Sequence, residues 1–157
     1  MIRSLGLMLL LAGCTKSVEI TAGAAEDPAL MTALFLDARA IEPQLADDFA
    51  CAGVESAGIE EDPPSTVLHS LRNRLRTRVF AQSACRRDEK TSLVAVEGES
   101  GRGTWLTVGD ISCTDQRLCS ATVSYYVANQ GAGGREVVAE RTAAGWRVTP
   151  SGRMWVS

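Results

Sequence analysis

The sequence is short of the residue types that carry most chemistry. It has one histidine, His69, in 157 residues. It has no Cys-x-x-Cys pair, so the donor set of a structural zinc site is missing. No Gly-x-Ser-x-Gly elbow and no paired-carboxylate signature occurs, and Glu60-Glu61-Asp62 lacks the regular oxygen spacing of a calcium loop. Neither Gly101-Arg102-Gly103 nor Gly131-Ala132-Gly133-Gly134 stands between a strand and a helix, as a phosphate cradle requires. No metal and no cofactor is expected. His69 has no Ser or Asp arranged around it as a triad and reads as a surface or boundary residue. A basic excess is also missing: the formal charge is −3, which argues against a nucleic-acid partner. No apolar run approaches the roughly 20 residues needed to cross a bilayer.

One shorter apolar run is present. Arg3 precedes Leu5-Gly6-Leu7-Met8-Leu9-Leu10-Leu11-Ala12-Gly13, which has the length of the hydrophobic region of an export signal. It ends in Cys14. Leu11-Ala12-Gly13-Cys14 resembles the lipobox of bacterial lipoprotein signal peptides at every position. The resemblance implies a diacylglyceryl group on the Cys14 sulfur, cleavage before Cys14, and acylation of the new amine by a fatty acid of the palmitate type. A thiolate is a good nucleophile for such an alkyl transfer, and more than one acyl chain gives stable anchoring. Residues 1–13 are then a signal peptide and residues 14–25 a lipidated tether. Residues 26–157 are a single domain. The residue after Cys14 is Thr15 and not Asp, which points to the inner leaflet of an outer membrane, facing the periplasm. The membrane is thus the first expected partner.

Removal of residues 1–13 leaves 144 residues with a formal charge of −4, enough for one core. Cys51, Cys85, Cys113 and Cys119 remain. Four cysteines in an oxidising compartment allow three pairings. Cys113–Cys119 is favoured because it closes a short loop between two strand-like runs. Cys51–Cys85 then joins the ends of two segments read as helical.

Glu26-Asp27-Pro28 reads as a helix start, with Asp27 as cap and Pro28 in the first turn. Leu30, Met31, Leu34, Phe35, Ala38, Ile41 and Leu45 recur at helical spacing. Pro43 should end or kink this helix, with a further turn over 43–49. Residues 57–64 read as a loop. A second helix is expected from Ser65 to Gln82, on Val67, Leu68, Leu71, Leu75 and Val79. After Ser92 the chain turns to short runs rich in Val, Thr, Trp and Tyr: 93–97, 104–112, 120–128, 136–141, 146–149 and 153–156. Glycine-rich turns separate them, which predicts an antiparallel meander. Helices first and strands after make an α+β domain, with N-terminal helices on a curved antiparallel sheet. Trp105, Trp146 and Trp155 all fall in strands, where they should pack on the helices.

The strand 120–128, its hairpin partner 137–141, and the closing Gly145-Trp146-Arg147-Val148 resemble the C-terminal half of the nuclear-transport-factor-2-like (cystatin-like) superfamily. That likeness implies a cone of sheet around helices. It carries over no catalytic residue.

Charge is unevenly spread. Residues 26–62 hold ten acids and one base, whereas residues 63–91 hold seven bases and two acids. Arg72, Arg74, Arg76 and Arg78 are candidate contacts for an anionic partner. The alternative is that the two helices pack with complementary charges. Together these features predict a lipid-anchored, non-enzymatic binding or accessory module of the cell envelope, whose partner is an envelope protein or a small ligand. Two rivals remain. A small enzyme would need an acid such as Asp110 or Glu140 facing inward with access to water. An inhibitor or immunity lipoprotein acting on an envelope hydrolase would use an exposed loop carried by the Cys113–Cys119 bridge.

Overall fold

The first long helix begins where its cap predicts. In the computed structural model, which describes residues 22–42, 48–128 and 131–157, helix α2 spans Pro28–Ala40 and Asp27 accepts a hydrogen bond from the Ala29 N–H at 2.8 Å. Leu30, Met31, Leu34, Phe35 and Ala38 are buried. A four-residue helical turn precedes it, α1 at Ala22–Ala25, and Ala24 is buried. The folded part therefore starts within the stretch expected to be tether. Cys14, the signal segment and Leu45 lie outside the described residues.

The further helical turn expected over 43–49 falls mostly on residues 43–47, outside those described. From Phe49 the chain forms β1, Phe49–Ser56, which pairs along both of its edges. Phe-Ala-Cys-Ala-Gly-Val offers no polar alternation, because the first five residues are buried. A strand covered on both faces reads as a continuous apolar run, which periodicity cannot tell from a helix. The expected loop after it is half strand. Ala57 and Gly58 take φ of 52° and 77° and turn the chain into β2, Ile59–Glu61, as a two-residue hairpin.

The second helix, α3, is shorter than expected, Ser65–Arg74. Leu75 is already extended, and Arg78–Ala81 form β3, parallel to β1. Val79 continues the apolar spacing of α3, yet it is buried as a strand residue opposite Ala50. The alternating run Arg72–Arg78 carried that strand signal. Arg72 Nε donates to the Val79 carbonyl at 2.9 Å and ties the two elements together.

A 3₁₀ turn, Gln82–Ala84, leads to β4, Cys85–Arg87, and β5, Val94–Val96, which pair antiparallel. The meander follows: β6 Gly103–Cys113, β7 Leu118–Tyr126, β8 Ala132–Thr142 and β9 Gly145–Pro150, each antiparallel to the next. The short β10, Trp155–Val156, returns to β8 at Gly133 and Gly134. The domain is α+β. Its sheet is open and mixed, not wholly antiparallel, because β1 runs parallel to both β3 and β6.

The sheet has two differently covered faces. On one, α2 and α3 bury Leu34, Phe35, Val67 and Leu71 against Ala50, Leu106, Val123 and Val137. On the other, the β4–β5 hairpin covers a small second core of Phe49, Cys51, Val94 and Val96, with Phe80, Cys85, Trp105 and Tyr126 at its margin. The cysteines pair as Cys51–Cys85 and Cys113–Cys119. The first bond staples the hairpin to β1. Its cysteines lie in strands and do not join helix ends. Of the tryptophans, only Trp146 reaches a helix end, where its Nε1 donates to Asp27 at 2.9 Å. Trp105 is on the opposite face, and Trp155 is exposed at the sheet edge.

Candidate functional site: a polar hollow beside the β4–β5 hairpin

The hairpin covers only part of the sheet face it packs on. Strand register sets what remains. Cys51, Trp105, Tyr126 and Ala132 form one row across β1, β6, β7 and β8, and Gly53, Thr107, Ser124 and Gly134 form the next. The first row is large and mostly apolar, and the hairpin covers its β1 end. The second is small and polar. Gly53 has no side chain because Gln82, from the 3₁₀ turn, lies directly over it. At Gly134 a Cβ would meet the Trp155 ring at 2.6 Å.

Between the two rows lies a hollow of about 290 Å³, lined by Glu60, Arg87, Trp105, Thr107 and Tyr126. The five residues arrive on four strands. Glu60 stands on β2, Arg87 at the end of β4, Trp105 and Thr107 on β6, and Tyr126 on β7. Gln82 Nε2 donates to Glu60 Oε2 at 2.6 Å and fixes that carboxylate. Arg87 sits over the Tyr126 ring, 4.0 Å from its centre. Tyr126 in turn donates its hydroxyl to the Ser92 carbonyl at 2.8 Å.

Several polar groups here lack partners. Trp105 Nε1 and Gln82 Oε1 are buried and unbonded among the described residues. Such groups are costly unless something satisfies them. Neither the Thr107 hydroxyl nor the Arg87 guanidinium has a hydrogen-bond or carboxylate partner among the described residues. The Arg87 guanidinium, the Thr107 hydroxyl and the Glu60 carboxylate held by Gln82 thus share one opening.

The arginines expected to act together are divided. Arg72, Arg76 and Arg78 line a hollow of about 710 Å³ at the corner between α3 and β3, with Leu75, Phe80 and Glu99. Arg78 pairs with Glu99, and Arg72 is committed to Val79. Arg74 faces a different groove, between α2, α3 and β9. The helices do not meet through complementary charge at these positions. Asp37 of α2 pairs with Arg135 of β8 at 2.8 Å, and neither Arg72 nor Arg74 bonds an acid of α2.

Asp110 is exposed, and Glu140 is exposed and paired with Arg147. Among the described residues only Thr32 and Thr104 are buried polar side chains. The inward acid that an enclosed enzyme site requires is not built by these two residues. His69 is exposed on α3, within 3.1 Å of Asn73. Glu60 and Glu61 belong to a strand, and Asp62 accepts from both the N–H and the hydroxyl of Ser83, so this acidic run is not a free loop. Residues 114–117 of the bridged hairpin are exposed, and Asp115 accepts from the Arg117 and Leu118 N–H groups.

No residue of the Glu60–Arg87 hollow was singled out as functional from sequence, apart from Glu60 as part of an acidic loop. The alternation Trp105-Leu106-Thr107 and Ser124-Tyr125-Tyr126 does mark one aromatic and polar face. Nothing local foretells that Glu60 and Arg87 converge on it. The chain matches no protein family, no curated protein and no solved structure.

Proposed function

We propose that the protein is a binding module of the bacterial cell envelope, tethered through a lipidated Cys14 to the periplasmic side of the outer membrane. Its ligand-binding site is the hollow at Glu60, Arg87, Trp105, Thr107 and Tyr126. The observation that carries this reading is that Glu60, Arg87 and Thr107 share one opening with no ion pair between the two charges, beside a disulfide-stapled hairpin. Ligand sites commonly place a few polar groups in a concave lining of apolar and aromatic side chains. The lipobox supports the address.

The likeness to the nuclear-transport-factor-2-like superfamily fits this reading in a modified form. A cone of that type would keep its cavity between helices and sheet. Here Leu34, Phe35, Leu71 and Leu106 occupy that space, so the ligand belongs on the other face.

The test is a thermal-shift screen of the full chain in detergent against small-molecule fractions of bacterial envelopes. It is repeated with the Glu60→Gln/Arg87→Gln double variant. A fraction that raises the Tm of the native chain but not of the variant supports the site. Fractions that raise both equally, or none that raises either, contradict it.

A further inference from the structure

The chemistry of the hollow narrows the ligand. This step rests on the hollow being the binding site. Glu60 and Arg87 line the same 290 Å³ space and make no ion pair with each other. Opposite charges held apart in one small opening leave room for a ligand carrying both signs. A simple anion would face the Glu60 carboxylate, and a simple cation would face the Arg87 guanidinium. Either would leave a like charge opposed, which costs binding.

A stacked sugar fits less well. The Tyr126 ring already carries Arg87 on its face. Trp105 packs beside the small core of Phe49 and Cys51. The remaining polar group of the lining is the Thr107 hydroxyl, which can donate. A donor beside a guanidinium suits a carboxylate, and charge-assisted hydrogen bonds are the strong kind. The volume stands at the lower end of ligand pockets, which run from about 300 to 1,000 Å³.

We infer that the hollow binds the head of a small zwitterion of the α-amino acid type. Its carboxylate meets Arg87 and Thr107, beside the Trp105 ring. Its ammonium group meets Glu60. Gln82 is a positioning residue, because it holds the Glu60 carboxylate and does not line the opening.

The experiment is a nitrogen-15 NMR titration of the full chain in detergent, read at the three tryptophan indole N–H signals. Trp146→Phe and Trp155→Phe assign them. The probes are L-alanine, acetate, methylammonium and glucose. L-Alanine should move the Trp105 signal saturably, whereas Trp146 and Trp155 stay in place. Acetate and methylammonium should bind at least about tenfold more weakly, as the loss of one charge-assisted contact implies. Arg87→Gln and Glu60→Gln should each weaken alanine binding by about tenfold or more at unchanged Tm. If glucose moves Trp105 and alanine does not, the zwitterion assignment is wrong and the binding-module reading stands. If alanine leaves Trp105 unmoved at any concentration, the assignment is likewise wrong, and the envelope-fraction screen decides the broader reading separately.

Discussion

Arg87 lies over the face of Tyr126, 4.0 Å from the ring centre, and Tyr126 hydrogen-bonds to Ser92 at the far end of the β4–β5 hairpin. The tyrosine thus links the sheet, the hairpin loop and the guanidinium of the hollow. Tyr126→Phe keeps the ring and removes the bond to Ser92. It should cost about 0.5–1.5 kcal/mol of stability and leave Arg87 in place. Tyr126→Leu removes the ring as well and should in addition weaken ligand binding. Chemical denaturation of both variants, beside ligand titration, separates the two effects.

The two disulfides should differ in worth. Cys51–Cys85 closes a loop over a separation of 34 residues and Cys113–Cys119 one of 6. Chain entropy then assigns about 4 kcal/mol to the first and about 2 kcal/mol to the second. Denaturant midpoints of Cys51→Ala/Cys85→Ala and Cys113→Ala/Cys119→Ala should fall in that order. Equal losses, or a larger loss for the short loop, would contradict it.

Asp27 does two jobs at the start of α2, capping the Ala29 N–H and receiving the Trp146 indole at 2.9 Å. Asp27→Ala should cost about 1 kcal/mol for the cap and more for the stranded indole donor. A double-mutant cycle with Trp146→Phe measures the second part. The cycle should show coupling of at least about 0.5 kcal/mol, as contacting residues do.

Elements differ in how locally the sequence specifies them. The cap of α2, the meander after Ser92 and the Cys113–Cys119 pair follow from neighbours in sequence, and Cys51–Cys85 is the pair that remains. Strand β1 does not, because two covered faces erase the alternation that marks a strand. Leu75 and Val79 mislead in the opposite sense. They keep helical spacing across a helix end, and only pairing of Val79 beside Ala50 decides the outcome. The hollow was hidden for a third reason. Glu60 and Arg87 are 27 positions apart, on short strands that only long-range pairing brings to one sheet face.

Gly53 should be intolerant of a side chain, with consequences for the site. A Cβ there overlaps the Gln82 amide, which would have to swing away and release Glu60. Gly53→Ala should therefore weaken ligand binding more than it lowers Tm. Gln82→Ala, which frees Glu60 without crowding β1, should reproduce the binding loss. Parallel titration and melting of the two variants check this.

The β4–β5 loop should loosen in acid. Asp88 accepts hydrogen bonds from the Thr91 N–H, the Thr91 hydroxyl and the Lys90 N–H. The Thr91 backbone bond leads in holding its carboxyl below the usual carboxylate range, followed by the Thr91 hydroxyl, with smaller help from Lys90 and Arg86. A lowered value means the loop is fully held when the unfolded carboxyl would also be ionised, and is released as pH falls through the lowered value. The Thr91 amide shift should be flat from neutral pH to about pH 5 and change below the ordinary carboxylate range. Asp88→Ala should abolish that step.

The proposed binding domain is held at a membrane through Cys14. The mass of the N-terminal peptide, taken from protein extracted out of the membrane fraction, decides whether that anchor exists. The predicted peptide begins at Cys14 and carries the mass of a diacylglyceryl group and an amide-linked fatty acid. A peptide that runs through Gly13 into an unmodified Cys14 contradicts the claim.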